Sequence, residues 1–110
     1  MDKTSTLRAL AALGQETRLD VFRLLVRSGR QGLLAGEIGG ALDVRQNTLS
    51  SHLAILAQAG LITSQREGRA IRYCADMDGM SAILAFLMED CCGGRPELCQ
   101  PVIDQIACAC

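Results

Sequence analysis

Five of the six cysteines fall in the last twenty residues of the chain: Cys91 and Cys92 are adjacent, Cys99 follows Gly93-Gly94-Arg95-Pro96, and Cys108 and Cys110 close the sequence. Thiolate sulfur is a soft donor that prefers thiophilic ions to magnesium or calcium, so the cluster predicts capture of a soft metal or metalloid. A disulfide framework is the weaker reading, because a chain of 110 residues that is 49% apolar has core enough without covalent staples. Plain packing is the bland alternative, since cysteine is also a small apolar residue.

A second group of residues suits a different chemistry. Gln46, Asn47, Thr48, Ser50 and Ser51 are short hydrogen-bonding side chains in one stretch that also holds the sole histidine, His52. Such side chains near a helix N-terminus can reach base edges in the DNA major groove. Arg66, Arg69 and Arg72 follow and suit phosphate contacts. A net charge of −1 alone argues against nucleic acid, but its distribution does not. Residues 45–72 carry four arginines against one glutamate, net +3, whereas residues 76–104 carry six acids against one arginine, net −5. His52 reads as a structural histidine at the boundary of helix and DNA rather than as a metal ligand.

The elements that must position these groups follow from periodicity. Leu7, Leu10, Ala11 and Leu13 give a first helix over 4–13. Leu19, Phe22, Leu25 and Val26 make the apolar stripe of a second, from Glu16 to near Ser28-Gly29. A third over 34–42 turns Ile38 and Leu42 inward, although Gly36, Gly39 and Gly40 weaken it intrinsically. The fourth, over 46–59, sets Leu49, Leu53 and Leu56 opposite the polar group. Strands over 61–66 and 70–75 are joined by Glu67-Gly68-Arg69 as a hairpin. A last helix over 78–92, with Met80, Ile83, Leu84, Leu87 and Met88 in stripe, is expected to stop at Gly93-Gly94, and Pro96 and Pro101 sit where a further short turn or helix could open. The order helix, helix, helix, helix, strand, strand, helix is a mainly α winged helix-turn-helix.

Several motifs then resemble one family. Leu13-Gly14, Thr17-Arg18-Leu19, Asn47-Thr48-Leu49-Ser50-Ser51-His52-Leu53, Ala59-Gly60-Leu61-Ile62 and Glu67-Gly68-Arg69 with Tyr73 are similar to the ArsR/SmtB family of metal-responsive repressors. The resemblance covers residues 5–90. It implies a homodimer, paired through its first and last helices, that places two recognition helices in successive major grooves of an inverted repeat in double-stranded operator DNA. Where the family often has a serine opening the recognition helix and a basic residue before the histidine, this chain has Arg45 and Ser51.

The resemblance also bears on the sensor. Many arsenic repressors of the family carry cysteines on the third helix, and here that region reads Leu33-Leu34-Ala35-Gly36-Glu37-Ile38. The zinc sensors place aspartate and histidines on the last helix, which has no histidine here. Cys91, Cys92 and Cys99 instead resemble the branch with an adjacent C-terminal pair and a third cysteine several residues later. That likeness implies trivalent arsenic (arsenite) or antimony as inducer, because both form pyramidal complexes with three sulfurs. Zinc, or cadmium, is the metal rival, with Cys108 or Cys110 as a fourth tetrahedral ligand. A redox or persulfide switch on the same thiols is another. Cys74 defaults to a bystander thiol.

The expected organisation is a DNA-binding and dimerisation domain over 1–92 and a cysteine-bearing tail over 93–110 that completes the metalloid site. A thiol enzyme such as an arsenate reductase is disfavoured, because neither Cys-x5-Arg nor Cys-x-x-Cys occurs. No apolar run approaches the length of a membrane span, and the N-terminal segment lacks a long apolar core, so the chain reads as cytoplasmic.

Overall fold

The computed structural model describes residues 2–89 and 96–108. In chain order they form α1 (Lys3–Leu13), α2 (Glu16–Ser28), a 3-10 turn (Gly29–Gln31), β1 (Leu33–Leu34), α3 (Ala35–Leu42), α4 (Gln46–Gln58), β2 (Ile62–Glu67), β3 (Ala70–Ala75), α5 (Met77–Leu87) and α6 (Pro96–Cys108). The sheet is antiparallel in the order β1-β3-β2, with Leu33 opposite Tyr73 and Glu67 opposite Ala70. Helices α3 and α4 form the helix-turn-helix and β2-β3 the wing, which is the mainly α winged fold expected.

The core sits where α1, α2, α3 and α4 meet the root of the wing. Val21, Phe22 and Leu25 of α2 face Leu49, Leu53 and Leu56 of α4, and Ala9, Ala12, Ile38, Leu61, Ile62 and Ile83 complete the cluster. Burying one large side chain of this kind contributes roughly 1.5–3 kcal/mol. Ile38, fully buried, and Leu42, packed against the core, together offset the three glycines of α3, which cost about 1 kcal/mol each relative to alanine. Gly39 is there for space: a methyl group on it would collide with the Gln46 side-chain amide and come within 3.0 Å of the Val44 carbonyl oxygen.

The junctions are set by backbone chemistry. After α4, Gly60 takes a positive φ of 79° while its amide donates to Ala57 O and the Leu61 amide donates to Leu56 O at 3.1 Å. This pair of hydrogen bonds satisfies two of the last carbonyls of the helix and turns Leu61, fully buried, into the core. The Ala-Gly-Leu-Ile run is therefore a helix stop and a strand start in one. Between α3 and α4 the same job falls to Asp43, left-handed at φ 55°, with the Val44 amide donating to Gly39 O at 3.0 Å. Asp76 caps α5 by accepting from the Gly79 amide at 3.1 Å.

The structure corrects three expectations. The last helix of the 78–92 reading ends at Leu87: the Met88 amide still reaches Leu84 O, but the Glu89 amide falls back to Phe86 O, a tightened final turn. Leu87, Met88 and Glu89 are exposed, so packing does not hold the helix longer. The stretch 34–42 yields its first residue to β1, because Leu34 pairs with Arg72 before α3 begins. In the cysteine-bearing tail Pro96 opens a 13-residue helix, α6, as its place allowed, its missing N–H being no loss at a first helical position, but Pro101 lies inside that helix instead of opening another. Among the described residues no helix is long and apolar enough to cross a membrane.

Candidate nucleic-acid interface and cysteine groove

Helix α4 presents the polar group as its sequence requires. Leu49, Leu53 and Leu56 are buried, while Gln46, Asn47, Thr48, Ser50 and Ser51 are exposed. Arg45 occupies the N-cap without a side-chain capping bond, so no cap from outside the helix meets the first amides of α4. Two members of the polar group are already engaged. Gln46 donates through Nε2 to Ala35 O at 3.3 Å, across the helix-turn-helix, and Asn47 Oδ1 accepts from the Thr48 amide at 2.9 Å. Thr48, Ser50 and Ser51 make no side-chain bond within the described residues and are the open hydrogen-bonding set.

His52 is half-buried one turn beyond Thr48. Its Nδ1 lies 3.3 Å from Arg18 Nη1, and Arg18 Nε donates to Ala12 O at 2.7 Å in the last turn of α1. A guanidinium has no acceptor, so a hydrogen bond between the two has Nδ1 of the neutral ring accepting and the ring proton on Nε2. His52 is thereby held from within the protein as well as lying on the helix proposed to meet DNA. Its partner Arg18 was not legible as such, because contact between residues 34 apart leaves no local pattern.

The wing turns on Gly68, at φ 63°, followed by Arg69, the glycine-first preference of a tight hairpin. Arg66 and Arg69 are exposed with no ion pair among the described residues. Arg72 differs. It forms an ion pair through Nε with Glu67 Oε2 at 2.7 Å and donates through Nη1 to Gln31 O at 3.1 Å, bracing wing against the strand β1 approach. The hydrogen bond to Glu67 holds the Arg72 guanidinium above its usual pKa. Wing and α4 enclose a cleft of about 540 Å³ bordered by Gln46, Ser50, Arg69 and Tyr73.

Of the three cysteines expected to bind metalloid, Cys91 and Cys92 lie outside the described residues, as does Cys110. Cys99 lies on α6, only 6% exposed. It lines an apolar groove of about 340 Å³ between α5 and α6, with Leu84, Met88, Val102, Ile103 and Ile106. The Cys99 sulfur is disulfide-bonded, and its partner is not among the described side chains. Cys74 is a free thiol on β3, its Sγ 3.5 Å from Arg30 O. No cluster of three or more metal-binding side chains occurs among the described residues. Sequence reading missed the apolar face of α6, although Leu98, Val102, Ile103 and Ile106 carry helical spacing.

A recognition helix with open polar side chains, a basic wing and a closed helical core define a DNA-binding winged helix-turn-helix protein. A family model described as a helix-turn-helix domain matches residues 13–65. The structure superposes on an ArsR-like transcriptional regulator from Rhodococcus sp. RHA1 with a TM-score of 0.68 at 30% identity, over 94% of this chain and 93% of that one. The chain is 34% identical over 83 residues to the HTH-type transcriptional regulator YgaV of Escherichia coli, 76% of this chain and 82% of YgaV. It is 36% identical over 61 residues to the arsenical resistance operon repressor of Escherichia coli, 56% of this chain and 50% of that protein. The chain thus belongs to the ArsR-like family of transcriptional regulators. It spans between 50% and 88% of the length of curated relatives it matches, among them one from Halobacterium salinarum at 58%.

Proposed function

We propose that the chain is a homodimeric repressor that holds operator DNA while its C-terminal thiols are reduced, and releases it when trivalent arsenic or antimony binds Cys91, Cys92 and Cys99. The observation that carries this reading is the place of Cys99, buried in the groove shared by α5 and α6. A sulfur donor thereby sits on the helices with the longest run of exposed apolar side chains, Leu84, Leu87 and Met88 on α5 and Leu98, Val102, Ile103 and Ile106 on α6. Exposed Leu7 and Leu10 on α1 extend that surface, and α1 packs against α5. Contiguous apolar surface of this kind favours a partner, here a second copy across a twofold. The likeness to a repressor named for arsenical resistance supports the choice of inducer.

The coupling follows from geometry. A twofold reader of DNA needs its recognition helices about 34–36 Å apart. Drawing the chain beside Cys99 into a three-sulfur shell would repack α6 on α5, and α5 helps set the distance between the two α4 helices. A coupling of roughly 1–3 kcal/mol, about 5–150-fold in affinity, is the usual range for such linkage.

A second reading has its own observation, the disulfide at Cys99. In it the same thiols are an oxidation switch on the same DNA module. One experiment separates the two: arsenite is titrated into the full chain bound to its operator duplex under strong reductant, beside Cys91→Ser and Cys99→Ser variants. Release of the wild type with retention by both variants supports the metalloid switch. A reduced wild type indifferent to arsenite, but released by oxidation, replaces it with the redox switch.

A further inference from the structure

Arg18 stands at a crossing that the DNA-contact residues alone do not explain. Its Nε satisfies Ala12 O, one of the carbonyls left open at the C-terminus of α1, where a cation also suits the helix dipole. Its Nη1 meets His52 Nδ1 on the recognition helix. Arg18 is itself seated by the cap of α2, where Gln15 Oε1 accepts its amide proton at 2.9 Å. One guanidinium therefore joins α1, α2 and α4.

The consequence for His52 is chemical. With Nδ1 accepting, the ring is left with one N–H, on Nε2, and that nitrogen has no partner among the described residues. Among the described residues no buried side-chain nitrogen or oxygen is unsatisfied, so Nε2 is open to solvent. Donation from a guanidinium to one face of an imidazole polarises the opposite N–H and makes it a better donor. A group that can only donate matches a phosphate oxygen, which can only accept, whereas base edges present both kinds of group.

We infer that Arg18 is a positioning residue that fixes the tautomer and orientation of His52 so that Nε2–H donates to a backbone phosphate of bound DNA. The proposal rests on the DNA-binding reading. It assigns His52 to phosphate rather than base recognition, and it makes the end of α1, a helix with exposed leucines, part of the mounting of the recognition helix. The same guanidinium adds a positive charge behind the imidazole without touching the DNA.

The test has two arms on the full chain. His52 is the only histidine, so its ring nitrogens can be observed without ambiguity by long-range nitrogen–proton correlation in the absence of DNA. The expected signature of the neutral ring is an unprotonated Nδ1 and a protonated Nε2, blurred towards a mixture of tautomers in Arg18→Gln. A wild-type ring protonated on Nδ1 overturns the proposal, whatever the variants do. In the second arm, affinity is measured for a duplex enriched from random sequence by the wild-type chain. Arg18→Gln and His52→Ala each weaken binding about tenfold, the scale of one hydrogen bond to a charged group, and together little more than either alone. His52→Gln, whose amide nitrogen reaches near the place of Nε2, recovers most of the loss. Losses that add in full, or a His52→Gln chain as weak as His52→Ala, overturn it. A chain that enriches no duplex sinks the DNA-binding reading instead, and is told apart because the ring signature is read without DNA.

Discussion

The two halves of this molecule treat apolar side chains in opposite ways. From α1 to β3 most of the large ones close into one core, with Leu25, Ile38, Leu49, Leu56 and Leu61 fully buried, while Leu7, Leu10, Leu19, Val26 and Ile55 stay exposed. Among the described side chains of α5 and α6, only Ile83 and Cys99 are buried, while Leu84, Leu87, Met88, Leu98, Val102, Ile103 and Ile106 stand exposed. The first half keeps its core within the single chain; the second is mostly surface. For the proposed switch this puts the DNA-reading helix on the closed core and Cys99 on helices whose apolar faces are open to a partner, so that the sensor can move without unfolding the reader.

The comparison breaks most visibly under truncation of matched aliphatic side chains. Leu56→Ala, in the middle of α4, is expected to lose about 2–5 kcal/mol of stability in denaturant unfolding. Ile103→Ala, on α6 and half exposed, should stay within about 0.5 kcal/mol for the monomer. Equal losses at the two sites would mean that α6 belongs to the core. Gly32→Ala is the next test. Gly32 has φ 63°, and a methyl group there would run into Tyr73 O and the Cys74 sulfur. Overpacking of this kind costs about 1–3 kcal/mol, and the reactivity of the Cys74 thiol towards a soluble disulfide reagent should rise as β3 shifts.

Oligomeric state tests the other half. Replacing Leu84 and Leu87 together by alanine should leave the helical signal and unfolding midpoint of dilute protein little changed. It should weaken self-association by roughly tenfold to a hundredfold, each tenfold being about 1.4 kcal/mol, as read by sedimentation. Unchanged association would place the dimer contact elsewhere and detach Cys99 from the recognition helices.

Much of the reader was legible in the sequence, because its determinants are local. The leucine spacing of α4 fixed which face carries Thr48, Ser50 and Ser51 outward, and Glu67-Gly68-Arg69 located the wing. The polar roles were less legible. Gln46 and Arg72 read as DNA contacts, and what the sequence does not show is that Gln46 also donates to Ala35 O and Arg72 also pairs with Glu67, contacts that depend on the packing of α3 and the sheet. Two residues of strand, Leu33–Leu34, are too short to show alternation, so β1 was merged into α3. The end of α5 was misplaced because Gly93-Gly94 is a strong stop signal, while the true stop at Leu87 reflects a lack of packing beyond it. Pro101 reads as the opening of a separate turn or helix because a proline in mid-helix is unusual, yet it lies inside α6.

The smallest expected effect lies in α1, which belongs to both halves: Thr6, Ala9 and Ala12 face the core while Leu7 and Leu10 face outward. Its first turn is capped by Asp2, whose carboxylate accepts from the Ser5 amide at 2.7 Å, and Thr6 Oγ1 donates to Asp2 O at 2.8 Å. Donation by the Ser5 amide, then by its hydroxyl, holds the Asp2 carboxyl below its ordinary value of 3.8. A carboxylate whose folded value is depressed contributes stability that is fully present above the unfolded value, about pH 4, and fades as pH falls through the folded one. The Ser5 amide resonance should therefore titrate below about pH 4 in the wild type. Asp2→Asn should keep the cap and lose the titration, because asparagine offers the same acceptor without a proton to gain. Asp2→Ala should fray the first turn at every pH. Fraying that also weakens self-association would show that the cap supports the outward face of α1 as well as the inward one, while an unaffected dimer would confine its influence to the core side.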